Sequence, residues 1–123
     1  MAKTPVEFDD ELEVVSVPLQ YFETNLILRK KGNIVEVFPP SVIKANSGIP
    51  TGSVTHNTSS TLIPIGFRPV GSVTLYPQST GAWKVTMMLN PNGTITGYNY
   101  SGASPSERTS NFFNEAMYFA SNS

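Results

Sequence analysis

Apolar and polar side chains alternate along several short segments of this chain, most clearly in the sequence WKVTMML at residues 83–89. A period of two residues is typical of a β-strand that buries one face and turns the other outward. Weaker alternation or short apolar runs predict further strands at residues 12–17, 26–31, 34–38, 42–45, 54–57, 61–65, 70–76 and 112–119.

Ten prolines and nine glycines separate these segments at intervals that suit a sandwich and would interrupt helices. The pattern therefore predicts an all-β, antiparallel β-sandwich of seven to ten short strands with little or no helix. One alternative is open near the end, where Asn111 could cap a short helix within residues 106–119.

The sequence NPNG at residues 90–93 predicts a three-residue hairpin loop. Pro91 and Asn92 suit the two corners of a type I turn, and Gly93 suits the left-handed position of a G1 bulge. Leu89 then opposes Ile95 on an apolar face that we assign to the core. A two-residue turn at Asn92 and Gly93 is the alternative, and it would place Pro91 at a ladder position beside the turn.

Two tyrosines follow this turn and fall on the opposite, outward face, where Tyr98 opposes Thr86 and Tyr100 opposes Lys84. Aromatic rings stack on the apolar C–H face of a pyranose, and short polar side chains bind its hydroxyl groups. Tyr98, Tyr100 and Lys84 are therefore candidates for saccharide binding, although the tyrosines could instead pack against a neighbouring protomer or a covering loop. Trp83 lies on the predicted core face near a strand end, where it either packs or contacts a ligand.

The Gly-Asn pair at residues 32–33 predicts a second hairpin whose register is ambiguous. A type II′ turn would pair Arg29 with Glu36, whereas a G1-bulge turn would pair Leu28 with Ile34. We favour the first register because it places opposite charges across from each other.

Two single residues complete the candidate ligand contacts. His56, the only histidine, stands in a polar Thr-His-Asn stretch and is predicted to be a solvated or hydrogen-bonding surface residue rather than a metal ligand. Arg68 could bind a phosphate or carboxylate group of a ligand. Its alternative role is to bond nearby carbonyl groups and hold the turn at residues 66–69.

Composition excludes several classes of function. The 123 residues contain no cysteine, which excludes a disulfide framework and thiolate metal sites. A net charge of −1 argues against nucleic acid as a partner, and no apolar run approaches the roughly 20 residues of a membrane span. A single histidine and the lack of phosphate-binding or nucleophile motifs predict that the protein is not an enzyme and uses no cofactor or metal. We expect an acidic, partly extended or linker segment at residues 1–24 and a β-sandwich domain at residues 25–123.

Four stretches together resemble the C-terminal β-sandwich heads of receptor-binding and baseplate proteins from tailed phages of Gram-positive bacteria. They are NLILRKKGNIVEVF at residues 25–38, LIPIGFRPVGSVTLYP at 62–77, KVTMMLNPNGTITGYNY at 84–100 and FFNEAMYFA at 112–120. Their order carries the resemblance: a basic hairpin, a Gly-Phe-Arg-Pro turn before a strand, an Asn-Gly hairpin, and a final aromatic strand.

The resemblance implies a homotrimeric, jelly-roll-like head at the tail tip of the virion, assembled in the host cytoplasm among other tail proteins. It also implies non-covalent binding of host cell-wall polysaccharide or teichoic acid, without chemistry. The alternative function is that of a structural baseplate or tail component that binds no ligand. In the receptor-binding proteins of these phages, the head domain usually follows a helical or shoulder module. Only about two dozen residues precede residue 25 here.

Overall fold

The computed structural model of the chain describes residues 12–22, 25–38, 49–76, 85–100 and 116–121. Within these ranges, eight strands form two antiparallel four-stranded sheets, so the predicted all-β sandwich is confirmed. The strands are β1 (Leu12–Pro18), β2 (Asn25–Lys31), β3 (Ile34–Phe38), β4 (Gly52–Thr55), β5 (Val73–Leu75), β6 (Met87–Leu89), β7 (Ile95–Asn99) and β8 (Ala116–Phe119).

The first sheet has the order β1-β2-β3-β8. Its β2–β3 hairpin turns at Gly32, whose φ of 64° suits a mirror-image hairpin turn. Arg29 pairs with Glu36, as predicted. The two side chains form no salt bridge with each other in the described part of the chain, however. The Arg29 guanidinium lies instead over the Phe38 ring, 4.3 Å from its centroid.

Strand β1 lies within the acidic segment predicted for residues 1–24. It pairs with β2 along its whole length, from Leu12 opposite Lys31 to Pro18 opposite Asn25. Val17 is buried in the core, and so are residues 19 and 22 beyond the strand. Residues 12–22 are therefore part of the sandwich, and the boundary predicted at residue 25 does not separate them from it.

The second sheet has the order β4-β7-β6-β5, in which three consecutive strands form a meander and β4 lies beside the last of them. This is a Greek-key connection of the kind that jelly rolls use. Both sheets contribute to one apolar core. Its buried members are Val17, Leu19, Phe22, Leu26, Leu28, Val35, Val37, Ile49, Val54, Ile63, Phe67, Leu75, Val85, Met87, Leu89, Ile95 and Tyr118.

The strand predicted at residues 61–65 is wrong. A 3-10 turn (Ser59–Thr61) occupies its start, and the Ile63 N–H bonds to the carbonyl of Gly93 in a turn rather than to a neighbouring strand. Pro64 has no N–H to donate to a ladder, and Gly66 has a φ of 99°, so the chain turns here instead of extending.

Other predicted strands exist with different bounds. The segments at 54–57 and 70–76 shorten or shift to β4 and β5. The final segment forms β8 over Ala116–Phe119, so the alternative helix is wrong for those four residues. The strand predicted at residues 42–45, like the rest of the segment at 106–119, lies outside the described residues.

Candidate functional site

The turn between β6 and β7 has the predicted geometry. Gly93 has a φ of 92°, its N–H bonds to the Asn90 carbonyl at 2.9 Å, and the Asn90 N–H bonds to the Thr94 carbonyl at 3.0 Å. Leu89 pairs with Ile95, as the three-residue loop requires. This register turns one set of side chains into the core and the other outward.

A buried asparagine holds this turn against the neighbouring loop. Asn57 accepts a hydrogen bond from the Ile95 N–H at 2.9 Å and donates to the carbonyls of Gly93 and Thr61 at 3.1 and 3.2 Å. Since the side chain is almost fully buried, these three bonds satisfy its polar atoms inside the protein. Asn57 therefore holds the start of β7 in place from the core side of the sheet.

Tyr98 and Tyr100 point outward, as predicted, and are 44% and 61% exposed. Their ring centroids are 4.8 Å apart and the ring planes are tilted by 46°. The rings therefore form one aromatic surface with two inclined planes. Tilted pairs at this distance are a favourable arrangement for aromatic rings.

Hydroxyl side chains surround this pair on the outer face of the second sheet. Ser53 on β4 is paired with Tyr98, and Thr55 is paired with Thr96. The Thr86 hydroxyl accepts a hydrogen bond from the Tyr98 N–H at 3.1 Å. We call this surface the tyrosine face; its described members are Ser53, Thr55, Thr74, Thr86, Met88, Thr96, Tyr98 and Tyr100.

The far end of the tyrosine face is held by the side chain of Asn90. Its amide donates to the hydroxyls of Thr94 and Thr96 at 3.0 and 3.1 Å, and its carbonyl oxygen accepts from the Ser72 hydroxyl at 2.8 Å. These bonds orient hydroxyl groups that would otherwise rotate freely. The face therefore presents partly fixed polar groups beside the aromatic rings.

The sequence did not single out Ser53, Thr55 or Thr96 as part of the site. Their only local signal is that they alternate with buried or half-buried residues along β4 and β7. They lie beside the tyrosines because β4 pairs with β7. The two strands are more than forty residues apart in the sequence, so no local pattern indicates this contact. Trp83 and Lys84, which were predicted for this site, lie outside the described residues.

His56 is not a surface residue, so this prediction was wrong. It is fully buried, packs against Phe22 at 5.5 Å between ring centroids, and donates from Nε2 to the Thr86 carbonyl at 3.1 Å. A Cβ atom on Gly97 would lie 2.6 Å from that Nε2 and 1.8 Å from the Thr86 oxygen, so only glycine fits beside it. Burial lowers the pKa of His56 to about 4. The histidine supports the tyrosine face from beneath and does not reach a ligand there.

Arg68 has the structural contact that was its alternative role. Its Nε donates to the Ile63 carbonyl at 2.7 Å, and the guanidinium lies against Gly93 of the hairpin turn. Its backbone carbonyl accepts from the Ser121 N–H at 2.7 Å, which ties the turn to the end of the chain beyond β8. Arg68 therefore joins both sheets, at a distance from the tyrosine pair along the hairpin.

The described residues contain no cluster of three or more acidic or histidine side chains that could hold a metal ion. No helix among them has the length and apolarity that crossing a membrane requires. The profiles of known protein families and the sequences of curated proteins contain no match to this chain.

Proposed function

We propose that this protein is a receptor-binding domain of a phage tail, which adheres to host cell-wall saccharide through the tyrosine face. The observation that supports the proposal is the exposed, tilted pair of Tyr98 and Tyr100 on a sheet face that is otherwise rich in hydroxyl groups. The class of phage and the Gram-positive host come from the resemblance of the sequence.

The chemistry of the face suits a sugar better than a peptide or a nucleic acid. One tyrosine ring can stack on the C–H face of a pyranose while the second, tilted by 46°, contacts its edge. The hydroxyls of Ser53, Thr55 and Thr86 can each donate and accept, as sugar hydroxyls do. The two central strands of this sheet, β7 and β6, are each paired on both sides, which fixes the backbone of Thr96 and Tyr98.

Charge bears on which wall polymer fits. None of the described members of the tyrosine face carries a charged side chain. A polyanion such as teichoic acid usually calls for clustered arginine or lysine. We therefore favour a neutral polysaccharide, with Lys84 as the predicted residue that would extend the range of ligands toward anionic ones.

A second candidate function is that of a structural tail component without a ligand. The observation that favours it is the large apolar surface exposed on the opposite side of the molecule, including Met117 and Phe119 at 63% and 67% exposure. The homotrimer, the other tail proteins as partners and the place at the tail tip stay predictions under either function.

Binding of the labelled protein to Gram-positive cells, competed by purified wall polysaccharide, distinguishes the two functions. We expect Tyr98→Ala with Tyr100→Ala to weaken binding by roughly 10- to 100-fold, which corresponds to about 1–3 kcal/mol of lost aromatic contact. Thermal unfolding should stay close to that of the unmodified chain because both rings lie outside the core.

Ile65→Ala is the matched control, since Ile65 is 68% exposed in a turn outside the tyrosine face. It should leave adhesion unchanged. Adhesion that survives loss of both tyrosines would exclude the tyrosine face as the binding site, and the absence of any adhesion in the unmodified protein would favour the structural component. Unfolding of the double variant would show that the tyrosines act in stability instead.

A further inference from the structure

The outer face of the first sheet is apolar to an unusual degree for a surface in contact with water. Four strands contribute to it, and Met117 and Phe119 are its most exposed apolar side chains. We call this surface the Arg29 face. Its members are Leu12, Val14, Ser16, Ile27, Arg29, Lys31, Ile34, Glu36, Phe38, Met117 and Phe119.

Charged residues occupy the centre of the Arg29 face. Arg29 and Glu36 are paired across β2 and β3, with Val14 and Met117 at the two ends of the same row. The Nε atom of Arg29 is buried and has no hydrogen-bond partner among the described residues. A buried donor without a partner is unfavourable.

The order of strands makes this face complementary to itself. A two-fold axis parallel to the strands, between β2 and β3 and in the plane of contact, exchanges β1 with β8 and β2 with β3. Arg29 of one copy then lies opposite Glu36 of the other. In the same row Val14 meets Met117, so apolar ends meet apolar ends.

In the neighbouring rows most facing positions are apolar, and Lys31 of one copy meets Ile34 of the other. Leu12 of one copy meets Phe119 of the other, and Ile27 meets Phe38. Face-to-face sheets pack with their strands within about 30° of parallel, which an axis along the strands allows. We propose that the Arg29 face binds a second copy of this chain in a two-fold, face-to-face dimer.

The size of the face sets the strength of the contact. Four strands about 4.8 Å apart and four to seven residues long cover roughly 400 Å² per copy in projection. Stable interfaces bury about 800 Å² of accessible surface per partner, so this contact is smaller than a standard stable interface. We therefore expect a dimer that dissociates at micromolar concentrations.

This dimer differs from the homotrimer implied by the resemblance. A three-fold ring needs two different surfaces on each copy, whereas the Arg29 face is matched by itself. The contact lies on the sheet opposite the tyrosine face and does not depend on the proposed adhesion to saccharide. Each proposal can fail without the other.

Sedimentation of mixed charge variants tests the proposed contact. Arg29→Glu gives a face with two central acids and Glu36→Arg gives one with two central bases. Each variant alone should weaken dimerisation by about a hundredfold through like-charge repulsion. An equimolar mixture should recover a heterodimer with nearly the original affinity, because both central pairs are then of opposite charge.

Recovery in the mixture would also show that both variants are folded. Thr55→Glu and Thr55→Arg place the same charges on the tyrosine face and should keep the original dimer. A chain that stays monomeric up to about 1 mM overturns the proposal. At that concentration sedimentation fails to detect only dimers whose binding free energy is weaker than about 4 kcal/mol. A trimer also overturns the proposal, as does a mixture of the two variants that stays monomeric.

Discussion

At the scale of single residues, His56 is fully buried although it stands in a stretch of polar residues. Its Nε2–H is bound to a carbonyl, so the second ring nitrogen, Nδ1, is the one that would take a proton. That atom is buried and has no partner among the described residues. A proton added there would place a charge in the core, which is why burial lowers the pKa of the ring to about 4.

This pKa predicts how stability depends on pH. The pKa of His56 falls from 6.5 in the unfolded chain to about 4 in the folded one. Above pH 6.5 the ring is therefore neutral in both states, and its full contribution to the folding free energy is present. As the pH falls from 6.5 to 4, the unfolded state takes up a proton that the folded state does not, and about 3 kcal/mol of stability is lost. Urea unfolding at several pH values in this window measures the loss.

His56→Gln is the matched variant, because an amide can still donate to the Thr86 carbonyl but does not titrate. As the pH falls from 6.5 to 4, the unfolding free energy of the histidine protein should drop by about 3 kcal/mol relative to that of the glutamine variant. If the two stability profiles run parallel across this window, His56 does not carry the pH dependence.

Local sequence could not have predicted this burial. Thr-His-Asn has the composition of a polar loop, and its neighbours on both sides are mostly hydroxyl residues. His56 is buried because β4 pairs with β7, which brings Gly97 and the Thr86 carbonyl against the ring. The same pairing assembles the tyrosine face, so the two errors of prediction at this site have one cause.

At the scale of elements, the two hairpins were predictable and the loop at residues 57–66 was not. The registers Arg29 with Glu36 and Leu89 with Ile95 follow from turn chemistry that lies within four residues of sequence. The segment at 61–65 has the short apolar run of a strand, but its backbone bonds to Gly93 of a distant turn. Patterning predicts which face of an element is apolar and leaves open which other element it meets.

Asn57 joins that loop to the β6–β7 hairpin, and its removal tests how far the hairpin depends on it. Asn57→Ala leaves the Ile95 N–H buried without its acceptor, which should lower the free energy of unfolding by about 2–3 kcal/mol. Chemical denaturation measures the change.

Asn92 offers a control within the same hairpin. Its side chain accepts from the Thr94 N–H at 3.0 Å, but it is exposed, and water can replace it. Asn92→Ala should therefore cost less than about 1 kcal/mol. Equal losses for the two variants would contradict the role given to the buried asparagine.

At the scale of the whole molecule, the sandwich has two outer faces of different chemistry. The tyrosine face presents hydroxyl groups and aromatic rings, whereas the Arg29 face presents aliphatic, aromatic and charged side chains. The sequence indicated the first through Tyr98 and Tyr100. The second became visible only with the strand order, because β8 is brought beside β3 from the far end of the chain.

If both proposals hold, the two copies of a dimer meet at their Arg29 faces, and each copy carries one saccharide site on its outer, tyrosine face. Arg29→Glu should then leave the affinity for a short, single-site saccharide unchanged, since the tyrosine face is untouched. Binding to a long polysaccharide should weaken by at least about a hundredfold, because the second site no longer adds to the first. Calorimetry with the short ligand and a pull-down on the long one separate the two effects, and equal loss in both would contradict independent faces.

The central claim is that saccharide binds at the tyrosine face, and nuclear magnetic resonance tests it directly. The isotope-labelled protein is titrated with purified neutral wall polysaccharide, and changes in amide shifts are mapped onto the two sheets. The account predicts the largest changes at Ser53, Thr96 and Tyr98, with Val14 and Ile27 on the opposite face unaffected. Shifts confined to the Arg29 face, or no shifts at saturating polysaccharide, would contradict it.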